Sequence, residues 1–306
     1  MISVSIIGAG SVGVFLTHLL NKESVSPILV FRNEIQREVI FERSDKVHRI
    51  RYTPALYNEY EKWLSSDVLI IATKAYDAEY IIRDLSQRRS SAKAYVLVQN
   101  GLKIFEKAVD LLGSDRVIQL LLNHGIARVD KNRFIWNGGG RSYIGMLAGS
   151  ENPYLYVLRD LLHEIDLEVV KDIQPYRWLK LSVNAVINPV TAILEERNKV
   201  VVENSYVRDH VAKRICEEIV KIAELRSVRL PKDPYEEVMR VARETGQNYS
   251  SMYMDIKLCR RTEIDYINGA VVEYGSEDGY KAYYNEIMYY LVKAKEARCF
   301  GRQDHS

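Results

Sequence analysis

The 306-residue sequence predicts an α/β domain built on a parallel sheet, followed by an all-helical domain. Three observations carry that expectation. The chain opens on an apolar strand that runs through a glycine-rich turn into an apolar helix, within residues 1–20. Short apolar runs such as Asp67–Thr73 then recur, as strands buried on both faces of a parallel sheet require. After about Asp172, strand patterns give way to long helical periodicity.

In the opening stretch Ile2, Val4, Ile6 and Ile7 read as a buried strand, and Val14–Leu20 as an apolar helix. Between them Gly8, Gly10 and Gly13 spell G-x-G-x-x-G. Strand, glycine turn and helix in that order are the context of the dinucleotide fingerprint. The first glycine allows the tight turn, the second lets a pyrophosphate approach the backbone, and the third lets helix and strand pack closely. Unpaired N–H groups and the positive dipole end at the helix start then hold the phosphates. A glycine turn in an unrelated α/β protein is the competing explanation, and the position straight after an N-terminal strand favours the cofactor. Residues 1–172 are therefore expected to form a Rossmann-type dinucleotide-binding domain, and residues 173–306 a helical substrate-binding domain.

The second strand, Pro27–Phe31, ends at Arg32. In NAD-binding proteins an acid at that point often holds the ribose 2′-hydroxyl. Here Phe31-Arg32-Asn33 stands instead, and a guanidinium suits a 2′-phosphate, so Arg32 favours NADPH over NADH. Glu34 lies two residues on, and a strand ending there would reverse the preference. His48-Arg49-Ile50-Arg51 alternates charged and apolar residues, as a strand with one solvated face does. Three later strands place polar groups at their carboxyl ends: Asp67–Thr73 delivers Lys74, Ala94–Val98 delivers Gln99-Asn100-Gly101, and Val117–Leu122 delivers Asn123-His124-Gly125. Open α/β sheets bind ligands at that edge. Any one of these groups alone fits a polar turn equally well. Arg133–Trp136 and Ser142–Gly145 flank Asn137-Gly138-Gly139-Gly140 and read as a β-hairpin. A helix through Leu155–His163 and a strand at Leu167–Val170 close the first half.

The helical half reads as Tyr176–Leu194, Tyr206–Leu225, Pro234–Arg243, Met252–Tyr274 and Ala282–Cys299. In the first helix Lys180, Asn184 and Asn188 recur every four residues among Trp178, Leu179, Val183, Val186 and Ile187. Polar groups down an otherwise apolar helix point to a lined cavity. A lysine whose stem crosses apolar surface to reach water is the plainer alternative. Pro189 is expected to kink or break this helix. Ser250-Ser251 precedes Met252 as an N-cap. Beyond it Met252, Ile256, Cys259, Ile267, Ala270 and Tyr274 form one stripe with Glu263 in its middle. A carboxylate there needs a cation or several donors. A structural ion pair and a substrate ligand both meet that need.

Composition narrows the function classes. Hydrophobic residues make up 47% and charged residues 27%, with a net charge of +2, which gives no reason to expect nucleic acid or an anionic membrane as partner. Three cysteines, Cys216, Cys259 and Cys299, show no metal spacing and suggest reduced thiols. With no secretory leader pattern and no apolar run of roughly 18 residues, a cytoplasmic protein is expected. The many tyrosines of the helical half would suit a homodimer.

Several stretches resemble the ketopantoate reductase family: Gly8-Ala-Gly-Ser-Val-Gly13, Ala72-Thr-Lys-Ala-Tyr76, Gln99-Asn-Gly101, Lys180-Leu-Ser-Val-Asn-Ala-Val-Ile-Asn-Pro-Val-Thr191, Ser250-Ser-Met-Tyr-Met-Asp255 and Thr262-Glu-Ile-Asp265. The likeness spans residues 1–275, and the lysine–asparagine and Ser-Ser-Met segments are far more specific than the glycine turn. It implies reduction of ketopantoate to pantoate by NADPH, with NADH as the other donor, in a cleft between a dinucleotide domain and a helical domain. A sister reductase acting on another small branched 2-keto or hydroxy acid is the alternative. On this likeness Lys180 donates a proton to the carbonyl oxygen and Glu263 bonds the substrate hydroxyl. Asn100, Asn184, Asn188, Asn198 and Ser251 join Lys180 and Glu263 in binding substrate. Gly8, Gly10, Ser11, Val12, Gly13, Arg32, Lys74 and Asn100 bind the cofactor. Trp136 departs from the family, where His is common, and is expected at the cleft's outer wall.

Overall fold

The computed structural model describes residues 2–43 and 46–300. By internal contacts the chain divides into two units, Met1–Gln99 with Ile104–Ile173, and Asn100–Lys103 with Gln174–Ser306.

The first unit runs β1 (Val4–Ile7), α1 (Ser11–Lys22), β2 (Ile28–Phe31), β3 (Ile40–Arg43), β4 (Lys46–Arg49), β5 (Thr53–Leu56), α2 (Tyr60–Trp63), β6 (Val68–Ile71), α3 (Ala75–Gln87), β7 (Ala94–Leu97), α4 (Lys103–Leu112), β8 (Val117–Leu121), β9 (His124–Asp130), β10 (Arg133–Gly139), β11 (Ser142–Gly145), α5 (Tyr154–Leu161) and β12 (Leu167–Val170). Six strands pair in parallel in the order β5-β2-β1-β6-β7-β8. The order reverses between β1 and β6, the switch point at which doubly wound sheets hold ligands. Every residue of β1, β6, β7 and β8 is buried, which explains why they are apolar apart from Ser5 and Gln119. β11 joins antiparallel to β8, and β12 parallel to β11.

The expected hairpin around Gly138–Gly140 does not form. β10 belongs to a second sheet, β4-β3-β10-β9, whereas β11 belongs to the first. Its hairpin partner is β9, which precedes it. The glycines instead pass the chain between sheets: Gly138 has φ +85°, and a Cβ on Gly139 would lie 2.2 Å from His124 Nδ1. Gly140 N–H bonds Asn123 O at 2.9 Å, and Asn123 N–H bonds Ser142 Oγ at 3.1 Å. Trp136 is buried in the hydrophobic core of the first unit. It is 8% exposed, edge-on to Phe15 at 4.9 Å, with its Nε1–H donating to His124 Nδ1 at 3.2 Å and the Arg43 guanidinium over its ring.

Among its described residues the second unit is all helical: α6 (Gln174–Leu194), α7 (Val200–Glu203), a π-helical turn at Val207–Ala212, α8 (Lys213–Leu225), α9 (Pro234–Glu244), α10 (Ser251–Lys257), a 3-10 turn at Ile264–Tyr266, α11 (Asn268–Glu277) and α12 (Tyr283–Phe300). Pro189 does not break α6, which continues to Leu194. The ring removes the N–H that would have bonded Ala185 O. The Nδ2–H of Asn268 takes that place at 3.0 Å, with the Asn268 side chain fully buried. At the far end Lys295 Nζ bonds Ala192 O and Ile193 O at 2.8 and 3.2 Å, answering carbonyls that a helix end leaves open.

The single helix expected over Met252–Tyr274 is three pieces. Cys259 sits at φ +47°, in the left-handed region, and Arg260 N–H closes α10 on Asp255 O at 2.8 Å. The Glu296 carboxylate then accepts Thr262 N–H at 2.7 Å, and Ile264 N–H bonds Thr262 Oγ1 at 3.2 Å. These bonds hold the break open and place Glu263 in a turn rather than on a helical stripe.

Candidate active site residues

In the first unit the glycine turn, Arg32 and Lys74 gather along one sheet edge. Gly8 follows β1 with φ +115°, and its N–H bonds Val30 O at 3.0 Å. A Cβ on Gly8 would lie 2.9 Å from the backbone of Ala72 and from Thr73 Cγ2. A Cβ on Gly13 would lie 1.9 Å from Gly8 O, so any larger residue would push α1 off its strand. Gly10 differs, because a Cβ there would meet nothing within 4 Å. Ser11 and Val12 open α1, whose first turn has neither a side-chain cap nor an acid. The helix start thus presents N–H groups and a positive dipole end to open space. Beside it Thr73 Oγ1 is buried without a hydrogen-bond partner. Open backbone at the second glycine and an unanswered hydroxyl fit a bound dinucleotide.

Lys74 precedes α3 as its N-cap residue. Arg32, one residue beyond β2, is exposed and reaches Asp77 in the first turn of α3 at 3.3 Å. Glu34 is engaged elsewhere, with Lys131 Nζ at 2.7 Å. The other polar groups at strand ends serve the framework. Gln99 Nε2–H donates to Ile71 O and Thr73 O at 2.7 and 3.0 Å, and Asn123 Nδ2–H donates to Arg141 O at 2.6 Å.

In the second unit α6 carries Lys180, Asn184 and Asn188. Burial pulls the Lys180 ammonium down to about 8, and the negative charge of Glu263 opposes that shift. Glu263 is 8% exposed. The charge of Glu263 is thus felt at the Lys180 ammonium. Asn184 Nδ2 is buried with no partner, and Asn188 is 7% exposed. Asn198 donates from Nδ2 to Thr245 Oγ1 at 2.9 Å and leaves Oδ1 buried and unanswered. Of the serine pair, Ser250 is the cap: its Oγ accepts Tyr253 N–H at 3.0 Å and the Thr191 hydroxyl at 2.7 Å. Ser251 opens α10 and is exposed. Asn100 lies in the four-residue segment that packs with this unit.

Sequence reasoning missed Arg177, which is 2% exposed one helical turn before Lys180. Its Nη2–H donates to Leu102 O, and its Nη1–H to Gln174 Oε1 at 2.5 Å. The signal was available, since an arginine on the apolar side of a core helix needs buried acceptors. Among the described residues there is no cluster of His, Cys, Asp and Glu able to hold a metal, and none of the three cysteines forms a disulfide.

The family profile described as "Ketopantoate reductase PanE/ApbA" matches residues 4–149, and "Ketopantoate reductase PanE/ApbA C terminal" matches residues 172–296. A 2-dehydropantoate 2-reductase from Pyrobaculum aerophilum is 33% identical over 298 residues, covering 96% of this chain and 98% of that protein. Among solved structures, a D-mandelate dehydrogenase with NADH and anilino(oxo)acetate has a TM-score of 0.88 at 22% identity, over 97% of this chain and 99% of that one. A 2-dehydropantoate 2-reductase from Geobacter metallireducens has a TM-score of 0.85 at 19% identity, over 96% and 99%. At such identities the solved structures establish the fold.

Proposed function

Since the chain belongs to the ketopantoate reductase family, we propose that it reduces 2-dehydropantoate (ketopantoate) to pantoate with NADPH, a step toward pantothenate and coenzyme A. The observation that carries this reading is the desolvated Lys180 facing the charge of a buried Glu263, on a helix face that also offers an unanswered Asn184 donor. The first unit is the dinucleotide domain and the second the substrate domain.

NADPH, when bound, supplies hydride to C2 of the keto acid. As negative charge builds on the carbonyl oxygen, the Lys180 ammonium stabilises it and delivers the proton. A lysine brought down to about 8 is a better acid than a solvated one and is still mostly protonated at neutral pH. Glu263 accepts the substrate hydroxyl, while Asn184, Asn188, Asn198, Ser251 and Asn100 orient the acid. A keto acid without the hydroxyl leaves a buried carboxylate unpaired, and selectivity follows from that cost. The cofactor is held by the turn from Gly8 through Ser11 and Val12 to Gly13, by Lys74, and by Arg32 at the 2′-phosphate. Glu34 is drawn to Lys131, which supports NADPH as the preferred donor over NADH.

The test is oxidation of the reduced nicotinamide, followed by absorbance with purified protein. Ketopantoate is expected to turn over fast, and 2-keto acids lacking the hydroxyl, phenylglyoxylate included, slowly. Faster turnover of phenylglyoxylate would move the substrate to a sister reductase of the same fold.

No helix among the described residues is long and apolar enough to cross a membrane, and we propose a cytoplasmic enzyme. We propose further that it is a homodimer through α12. That helix exposes Tyr283, Ile287, Tyr290, Ala294 and Ala297, a 4-3 spacing suited to helix pairing. Antiparallel pairing about Tyr290 sets large Tyr283 and Ile287 of one copy against small Ala297 and Ala294 of the other. Sedimentation should show a dimer that Ile287→Lys converts to monomers; a wild-type monomer would end the proposal.

A further inference from the structure

The segment Asn100–Lys103 packs with the second unit although the residues on either side of it belong to the first. It is gripped from three directions. Leu102 is fully buried in the second core, among residues such as Trp178 and Ile264. Gly101, at φ +89°, lies so close to the 3-10 turn that a Cβ would be 2.1 Å from Tyr266 O. From α6 the buried guanidinium of Arg177 donates to Leu102 O. Lys103 adds an ion pair with Glu273. The grips sit close in sequence to the proposed chemistry: Arg177 is three residues before Lys180, Tyr266 three after Glu263, and Leu102 two after Asn100.

We propose that Arg177 is a positioning residue for this reaction: it ties the backbone carrying Asn100 to the helix carrying Lys180. The inference rests on the roles given above to Asn100 and Lys180. A buried guanidinium would be a costly way merely to fill space, because each of its N–H groups needs an acceptor. Its planar fork fixes direction as well as distance, which a flexible ammonium does less well. A side chain displaced by about 1 Å can lose a large share of the rate when orientation is the catalyst's contribution. Arg177 touches neither substrate nor cofactor in this scheme. It acts through Asn100.

Two readouts on the full-length enzyme test the proposal. Hydrogen–deuterium exchange of the peptide holding residues 100–103 should rise in Arg177→Met, rise less in Arg177→Lys, and stay unchanged in Asn100→Ala. Unchanged exchange in Arg177→Met would overturn the brace. In steady-state kinetics, Arg177→Met should cut kcat/KM about tenfold when Asn100 is present and less than about twofold in an Asn100→Ala background. A merely structural arginine would give equal losses in both backgrounds, and that result would overturn the positioning role. If Arg177→Met fails to fold, Gly101→Ala displaces the same segment from the Tyr266 side, and the same two readouts apply. A wild-type enzyme inert to ketopantoate would refute the substrate assignment, while the exchange experiment would still decide whether Arg177 is the brace.

Discussion

Pro189 and Asn268 form a donor exchange inside the second unit: the proline removes the helical partner of Ala185 O, and the asparagine replaces it at 3.0 Å from another helix. Asn268 is fully buried and also bonds Asn285 Oδ1 at 3.0 Å, so the exchange is part of a fixed network. Asn268→Ala should cost about 1–3 kcal/mol, the usual penalty of a buried carbonyl left unbonded. Pro189→Ala restores the N–H within α6, so the double variant should recover part of that loss. Urea unfolding of the four proteins of the cycle measures the coupling, and strict additivity would show that the two residues are independent.

Lys180→Met is expected to lower kcat more than tenfold with NADPH binding retained. The pH profile gives a sharper check. The proposed proton transfer needs the protonated amine, whose pKa is brought down to about 8, so kcat/KM should fall as pH rises through about 8. The charge of Glu263 holds that value up. Glu263→Gln should therefore move the alkaline limb to lower pH as well as weaken substrate binding. A limb that does not move would separate the two groups.

Arg32 is exposed and linked to Asp77, and the role proposed for it concerns one phosphate. Arg32→Ala should raise KM for NADPH about tenfold and leave KM for NADH nearly unchanged, in line with loss of one charge-assisted contact. Parallel initial rates with both cofactors decide it. Equal effects on the two would remove Arg32 from the 2′-phosphate.

His18 sets an acid limit on the first unit. It is 2% exposed and stacked on Phe41 at 4.5 Å, and its Nε2 is buried without a partner. Burial first, then the charges of His48, Lys22 and Arg43, lower its pKa from 6.5 to about 4. The unfolded chain therefore binds more protons between those values, and stability falls as pH drops from about 6.5 toward 4. Above 6.5 the contribution is intact. The loss is at most about 3 kcal/mol. His18→Leu should flatten this slope in unfolding curves measured from pH 7 to pH 4; an unchanged slope would place the acid sensitivity elsewhere.

Features written in consecutive residues were legible in the sequence. β1, the turn at Gly8–Gly13 and α1 need nothing beyond their own residues, and the strand Leu167–Val170 appears with the expected bounds. Features that depend on distant partners were not. Met252–Tyr274 has helical periodicity, yet Glu296, far along the chain, takes Thr262 N–H and keeps the helix apart. Gly138–Gly140 looks like a hairpin loop until Asn123 and Ser142 claim the backbone around it. Pro189 reads as a helix breaker because Asn268 is invisible from its neighbourhood. In the candidate site, the Lys180–Asn184–Asn188 spacing singles out one face of α6, whereas the part played by Arg177 depends on Leu102 O, seventy-five residues away, and shows only in the structure.

The detour of residues 100–103 bears on how the chain is made. During synthesis the strands and helices of the first unit emerge with nearly all their partners, but Leu102 emerges with none. Its pocket and the Arg177 donor come some seventy-five residues later, and Tyr266 later still. A ribosome paused in between would display an apolar side chain with nowhere to go. Cutting the gene between the halves would leave Leu102 on one fragment and the Arg177 that donates to its carbonyl on the other.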